Sequence, residues 1–238
     1  MALPKFKEIS SRIPSVEENV RQAVADVLGR RGASRDLVKA SFSDYLEDAE
    51  ATAFQTYLRS EREAWDSLVG LEPVKLGGDF EGFYVLFQSI AQSRRARAGS
   101  VFEDLLRTLF RRLGYPFEEQ AVVDGKPDFI LPTAAHYRRN PRDAIIFTAK
   151  RTLRERWRQV ATEGTRGLGQ YLATIDDNVT GSALQEMMEN RIYLVVPKAL
   201  KTRNSTYEAS DTVISFEDFF EDHVDPAVAR WRRAGVIE

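Results

Sequence analysis

Three side chains stand at spacings suited to phosphoryl chemistry: Asp128, Lys150 and Glu163. Asp128 follows Pro127 in GKPDFILP, at the entry to the apolar run Phe129, Ile130, Leu131. A carboxylate at the edge of a core is costly unless it is paired or ligates a cation. Lys150 closes the apolar segment AIIFTAK, and strand alternation puts it on the face of Thr148, opposite Ala149. Glu163 lies 13 residues beyond Lys150 in a stretch of helical character. If the two apolar segments are neighbouring strands, Asp128 and Lys150 meet at the mouth of a sheet, and Glu163 can point back to the same place. Two carboxylates can hold a hard cation such as Mg²⁺ through oxygen. Such a cation polarises a scissile phosphate and acidifies a bound water. Lys150 can orient that water and neutralise charge on a pentavalent phosphorus. To act as a base it would need its pKa depressed by burial or by the cation.

The segment after Lys150 carries Arg154, Glu155 and Arg156. Arginine suits bidentate reading of guanine O6 and N7, and a carboxylate can accept from cytosine N4. The triplet therefore offers groups for adjacent G·C pairs in a major groove. Glu155 could instead orient the two arginines through ion pairs. Each piece also has a plainer reading: Asp128 in a turn, Lys150 guarding a strand end, Glu163 solvated, and the triplet as a salt-bridged solvent face. Trp157 and Val160 read as core anchors.

The elements around these residues predict an α/β chain. Ser15 with Glu18 fits a capping box before VRQAVADVL, and Gly32 is a natural stop. A second helical stretch runs from about Ser43 through Val69. LGGDFEGF breaks the pattern, and YVLFQSIAQ resumes it. Val101, Leu105, Leu109 and Phe110 recur at helical spacing, and Gly114 ends the run. EQAVVD and PDFIL read as strands joined by a turn at Asp124–Gly125, with AIIFTAK as the next strand. TLRERWRQVATEGTRGLGQYLA returns to a helical reading that Gly164 and Gly167 could interrupt. NRIYLVVP is the most apolar strand, and DTVIS reads as a short fifth one. Ser215 with Asp218 can cap FEDFFEDH, and Asp225–Pro226 and Gly235 bracket a last helix. This order gives a central mixed β-sheet flanked by helices. The expected division is a helical N-terminal region at 1–92, for DNA contact or dimerisation, and a core with C-terminal helices at 93–238.

Composition narrows the classes further. The 238 residues contain no Cys and only two His, which excludes thiolate metal sites, cysteine nucleophiles and a His-rich zinc centre. No apolar run is long enough to span a membrane, and the start lacks a signal-peptide core, so a cytoplasmic protein is expected. Net charge is −2, yet Arg94 to Arg158 holds 15 Arg or Lys against 8 Asp or Glu. That basic middle is either the footprint of a polyanion or a solvated helix face.

GKPDFILP and TAKRTLRERWRQ together resemble type II restriction endonucleases of the PD-(D/E)XK superfamily. The likeness is to the catalytic domain of the EcoRII type and to relatives that read sites bounded by CC and GG. It covers roughly Arg94 to Ser215. The plain superfamily pattern carries an acidic residue ahead of the lysine, where this chain has Ala149. The subgroup replaces that carboxylate with one from the next helix, and Glu163 stands where it is expected. The resemblance implies a restriction-endonuclease-like core, Mg²⁺ held by Asp128 and Glu163, Lys150 beside them, and Glu103 completing the site. It implies base reading by Arg154, Glu155 and Arg156, double-stranded DNA as partner, and a homodimer, which also suits cutting both strands of a symmetric site. Arg94, Arg95, Arg97, Arg138 and Arg139 are candidates to position the DNA backbone, and Gln88 is a weaker candidate contact. Two alternatives stay open: a repair or recombination nuclease with little sequence preference, and a non-catalytic DNA-binding protein on the same fold.

Overall fold

The structure is a computed structural model that describes residues 5–69, 80–119, 121, 123, 126–153, 157–160 and 170–238. Among the described residues five helices precede the first strand: α1 (Phe6–Ser10), α2 (Val16–Arg31), α3 (Arg35–Ala40), α4 (Phe42–Val69) and α5 (Phe80–Arg112). The capping box forms as read. Ser15 Oγ accepts the Glu18 N–H at 3.2 Å, and the Glu18 carboxylate accepts the Ser15 N–H at 3.0 Å. Gly32 ends α2 at φ +106°, a conformation that other residues rarely adopt.

The stretch at YVLFQSIAQ and the run from Val101 belong to one helix of 33 residues, not two. The intervening SRRARAGS is made largely of helix-compatible residues. A single mid-helix glycine such as Gly99 costs only about 1 kcal/mol. Residues 92 and 93 both lie inside α5. One apolar cluster joins Val20, Phe42 and Leu46 of the early helices to Phe102, Phe110, Phe129 and Phe147.

Six strands form one sheet among the described residues, in sequence order. They are β1 (Glu118–Glu119), β2 (Phe129–Leu131), β3 (Ile145–Ala149), β4 (Gln170–Ala173), β5 (Ile192–Val196) and β6 (Val213–Ser215). β1, β2 and β3 pair antiparallel, whereas β3 to β6 run parallel, so the sheet is mixed as expected. Of the expected strand EQAVVD, only Glu119 is in a strand among the described residues, and the turn at Asp124–Gly125 lies outside them. The parallel half is crossed over by α7 (Trp157–Val160), α8 (Gly181–Glu189), α9 (Lys198–Arg203) and α10 (Ser205–Glu208), while α6 (Ala134–Arg139) links β2 to β3. The chain ends in α11 (Phe216–Asp218), a π-helical turn at Phe219–Val224, and α12 (Asp225–Arg233). Ser215 and Asp218 cap α11 reciprocally.

The helical reading of QYLA is overturned. Gln170 to Ala173 form β4, buried throughout between β3 and β5. A strand covered on both faces loses the polar alternation that marks a half-exposed one, and four residues are too few for length to decide.

Phe110 on α5 is fully buried. Its ring meets those of Phe42, Phe117, Phe129, Phe147 and Phe220 at centroid distances of 5.1–6.3 Å. It therefore holds α5 to β2, β3 and the C-terminal helices at once. No helix among the described residues is long and apolar enough to cross a membrane. Phe110→Ala should lower unfolding free energy by about 3–5 kcal/mol, read from urea denaturation.

Candidate active site

The pairing of β2 with β3 decides where Asp128 falls. Phe129 stands opposite Phe147, so the residue before Phe129 lies beside the end of β3. Asp128 Oδ2 accepts the Ala149 N–H at 2.8 Å and the Lys150 ammonium at 3.0 Å. Oδ1 takes neither bond. The Asp128 side chain is 14% exposed and that of Lys150 32%, so the pair sits at a mouth and not in the interior. The Lys150 N–H bonds the Ala173 carbonyl at 2.9 Å, which extends the β3–β4 ladder one residue and holds the lysine backbone still.

Glu103 approaches the same place from α5. Burial first, then the charge of Asp128, push its carboxyl above the usual carboxylate range, against the pull of Arg107 and Lys150. Two carboxylates whose fields oppose each other in a half-buried place favour a cation there. Their oxygens are the donors a hard divalent ion takes. Arg107 restrains Glu103 through Nη2 at 3.1 Å while its Nε meets Glu119 at 2.7 Å and Nη1 meets Asp104. Among the described residues no group of three or more carboxylate or imidazole side chains forms a cation cage. Glu163, Arg154, Glu155 and Arg156 lie outside the described residues. An open cleft of about 930 Å³ runs over Glu103 and Lys150, with Arg94, Arg95, Gly99 and Arg151 along its walls.

The other sequence candidates are spread out. Arg94 forks onto Glu61 of α4 through Nε at 3.0 and 3.2 Å and through Nη2, and Tyr57 donates to the same carboxylate at 2.6 Å. Arg97 bonds the Pro14 carbonyl at 2.7 Å and stacks on Tyr57. Gln88 donates to the Tyr84 hydroxyl on its own helix. Arg138 and Arg139 end α6 beside the start of β3, the opposite end of that strand from Lys150. The sequence reading missed Glu50, whose carboxylate accepts Arg151 Nε at 2.8 Å. The two residues are 101 apart, and no local pattern links them. Arg107 was also missed, although its place one helical turn after Glu103 was a usable signal.

A family model described as EcoRII C terminal matches residues 59–220, more than half of the chain. The chain belongs to this family. Relatives of the EcoRII C-terminal domain include the type II restriction enzyme SsoII of Shigella sonnei, 33% identical over 155 residues. That match covers 60% of this chain and 50% of SsoII. The type II restriction enzyme EcoRII of Escherichia coli is 33% identical over 129 residues, covering 52% of this chain and 32% of EcoRII. The chain thus matches half or less of the length of these relatives. Among solved structures, metal-depleted Ecl18kI in complex with uncleaved DNA superposes with a TM-score of 0.81 at 27% identity, covering 94% of this chain and 82% of that one. A restriction endonuclease PspGI–substrate DNA complex superposes at 0.72 with 21% identity, covering 93% and 96%, which shows the shared fold.

Within this EcoRII C-terminal fold, Glu103 makes a pH-dependent contribution whose sign is set by its raised pKa. The folded chain keeps a proton there at pH values where the unfolded chain, near 4.5, has lost it. Stability is therefore lost as pH rises from that value through the folded one. Glu103→Gln escapes the loss. In cation-free buffer its stability should gain on the parent as pH is raised from about 4 to about 8, compared by urea denaturation. A constant difference across that range would mean that Glu103 ionises normally.

Proposed function

We propose that this chain is a type II restriction endonuclease that hydrolyses phosphodiester bonds in double-stranded DNA at a short site bounded by C·G pairs, using Mg²⁺. The observation that carries the reading is the Asp128–Lys150 pair at the adjoining ends of β2 and β3, with Glu103 at the same cleft. Support comes also from the names of the relatives and from the DNA complex of Ecl18kI.

In this reading Asp128 and Glu163 would hold the cation, and Glu103 would complete the site. When bound, the cation polarises the scissile phosphate and favours ionisation of a nearby water. Lys150 orients the attacking water and offsets charge that builds on the phosphorus, more in the transition state than in the ground state. Asp128 fixes the Lys150 ammonium through Oδ2. In-line attack breaks the bond from phosphorus to the 3′ oxygen, leaving 5′-phosphate and 3′-hydroxyl ends. Arg154, Glu155 and Arg156 read the outer bases in the major groove. Arg95, on the wall of the cleft, positions the DNA backbone; Arg94 and Arg97 do so less directly, being engaged by Glu61 and Pro14. Two copies acting about a two-fold axis cut both strands.

Plasmid incubated with the protein should give discrete fragments with Mg²⁺ and remain intact with EDTA. A smear would favour an unspecific repair nuclease, and retardation without cutting a DNA-binding protein. Lys150→Ala should abolish fragments while leaving duplex binding close to the parent, as read by gel shift. Arg156→Ala should lose about 1–3 kcal/mol of discrimination at one base pair, and unchanged affinities for matched and mismatched duplexes would remove the triplet from base reading.

A further inference from the structure

Lys150 and the Arg154–Arg156 triplet are separated by only three residues, Arg151, Thr152 and Leu153. That connector leaves the sheet, so the ladder no longer holds it. It is held instead from the turn after β4. The Thr174 hydroxyl, fully buried, donates to the Arg151 carbonyl at 3.2 Å. The Asp176 carboxylate accepts the Leu153 N–H through Oδ2 at 2.8 Å. A backbone amide bonded to a carboxylate is charge-assisted and roughly twice as strong as a neutral pair.

Asp176 is itself tied down. Its N–H donates to the Thr174 hydroxyl at 3.1 Å, its carbonyl accepts the Tyr207 hydroxyl at 2.6 Å, and Oδ1 accepts the Asn178 N–H at 3.1 Å. Leu153 is anchored from its side chain too, buried in the cluster of Trp157, Leu172 and Val179. The last amide before Arg154 therefore has a fixed position relative to β4, and through the Lys150–Ala173 bond relative to the lysine.

We infer that Asp176, backed by Thr174, is a positioning residue for base recognition. It sets the point from which the Arg154–Glu155–Arg156 segment departs, so that base reading and the Lys150 site stay in register. The inference rests on the reading of that triplet as the base-contacting segment. A bidentate arginine contact tolerates little displacement, so loosening its root lowers discrimination more than it lowers turnover.

The test compares cleavage of a short duplex carrying the mapped plasmid site with the same duplex altered at one outer C·G pair. Asp176→Ala should reduce the ratio of the two kcat/KM values by about tenfold, which corresponds to about 1.4 kcal/mol. The loss should appear as faster relative cutting of the altered duplex. Asp176→Asn, which keeps an acceptor for Leu153, should restore most of the ratio. Equal loss of both rates with an unchanged ratio would mean a structural role alone and would overturn the inference. If Asp176→Ala fails to fold, Thr174→Val takes its place with the same expectation and the same overturning result. Arg156→Ala runs in parallel. If it leaves the ratio unchanged, the base-reading assignment fails; if it changes the ratio and the Asp176 and Thr174 variants do not, this inference fails alone.

Discussion

The antiparallel register of β2 on β3 is the constraint from which the site follows. Phe129 faces Phe147 because both rings belong to the aromatic cluster around Phe110. A slip of one residue would turn Phe129 out of that cluster and Ile130 into it, since side chains alternate along a strand. It would also carry Asp128 away from the Ala149 amide and from Lys150. The apolar packing on one face of the sheet thereby fixes a polar contact at its edge. The polar contact adds a local reason for β3 to end where it does, because the Ala149 N–H is satisfied by a carboxylate and needs no further strand.

Charge is arranged with the same economy. A chain of net charge −2 gathers arginines along one cleft, and acidic side chains from neighbouring helices hold them. Glu61 takes Arg94, and Glu50 takes Arg151. Partly exposed pairs of this kind add little to stability. Their effect is to choose one orientation for a long side chain that would otherwise sample many. Glu50 on α4 is thus compatible with a neighbouring polyanion, because its carboxylate is engaged by Arg151.

How much of this was legible beforehand depended on whether the signal was local. Asp128 and Lys150 could be picked out because each sits at the end of an apolar run, and two such runs close in sequence tend to pair. The Ser15 and Ser215 caps were legible for the same reason, since both partners lie within one turn. β4 was not, because burial on both faces removes alternation from QYLA. The continuity of α5 was hidden by a change of composition that leaves helix propensity nearly intact. Glu50 with Arg151, Glu61 with Arg94 and Asp176 with Leu153 join residues that only the folded chain brings together, and no periodicity announces them.

Thr148 shows why the site has to be divided between layers. It stands two residues before Lys150, on the same face of β3, is 1% exposed, and its hydroxyl has no hydrogen-bond partner among the described residues. A small neutral side chain suits so closed a position, where a carboxylate would be desolvated at a cost of several kcal/mol unless a cation were always present. The second carboxylate beside Asp128 comes from outside β3. Glu103 supplies it from α5, close enough for the Asp128 charge to raise its carboxyl, and Arg107 limits the repulsion. A sheet edge and a helix packed on it by Phe110 share the work, so the spacing between the carboxylates is set by core packing and not by the geometry of a single strand.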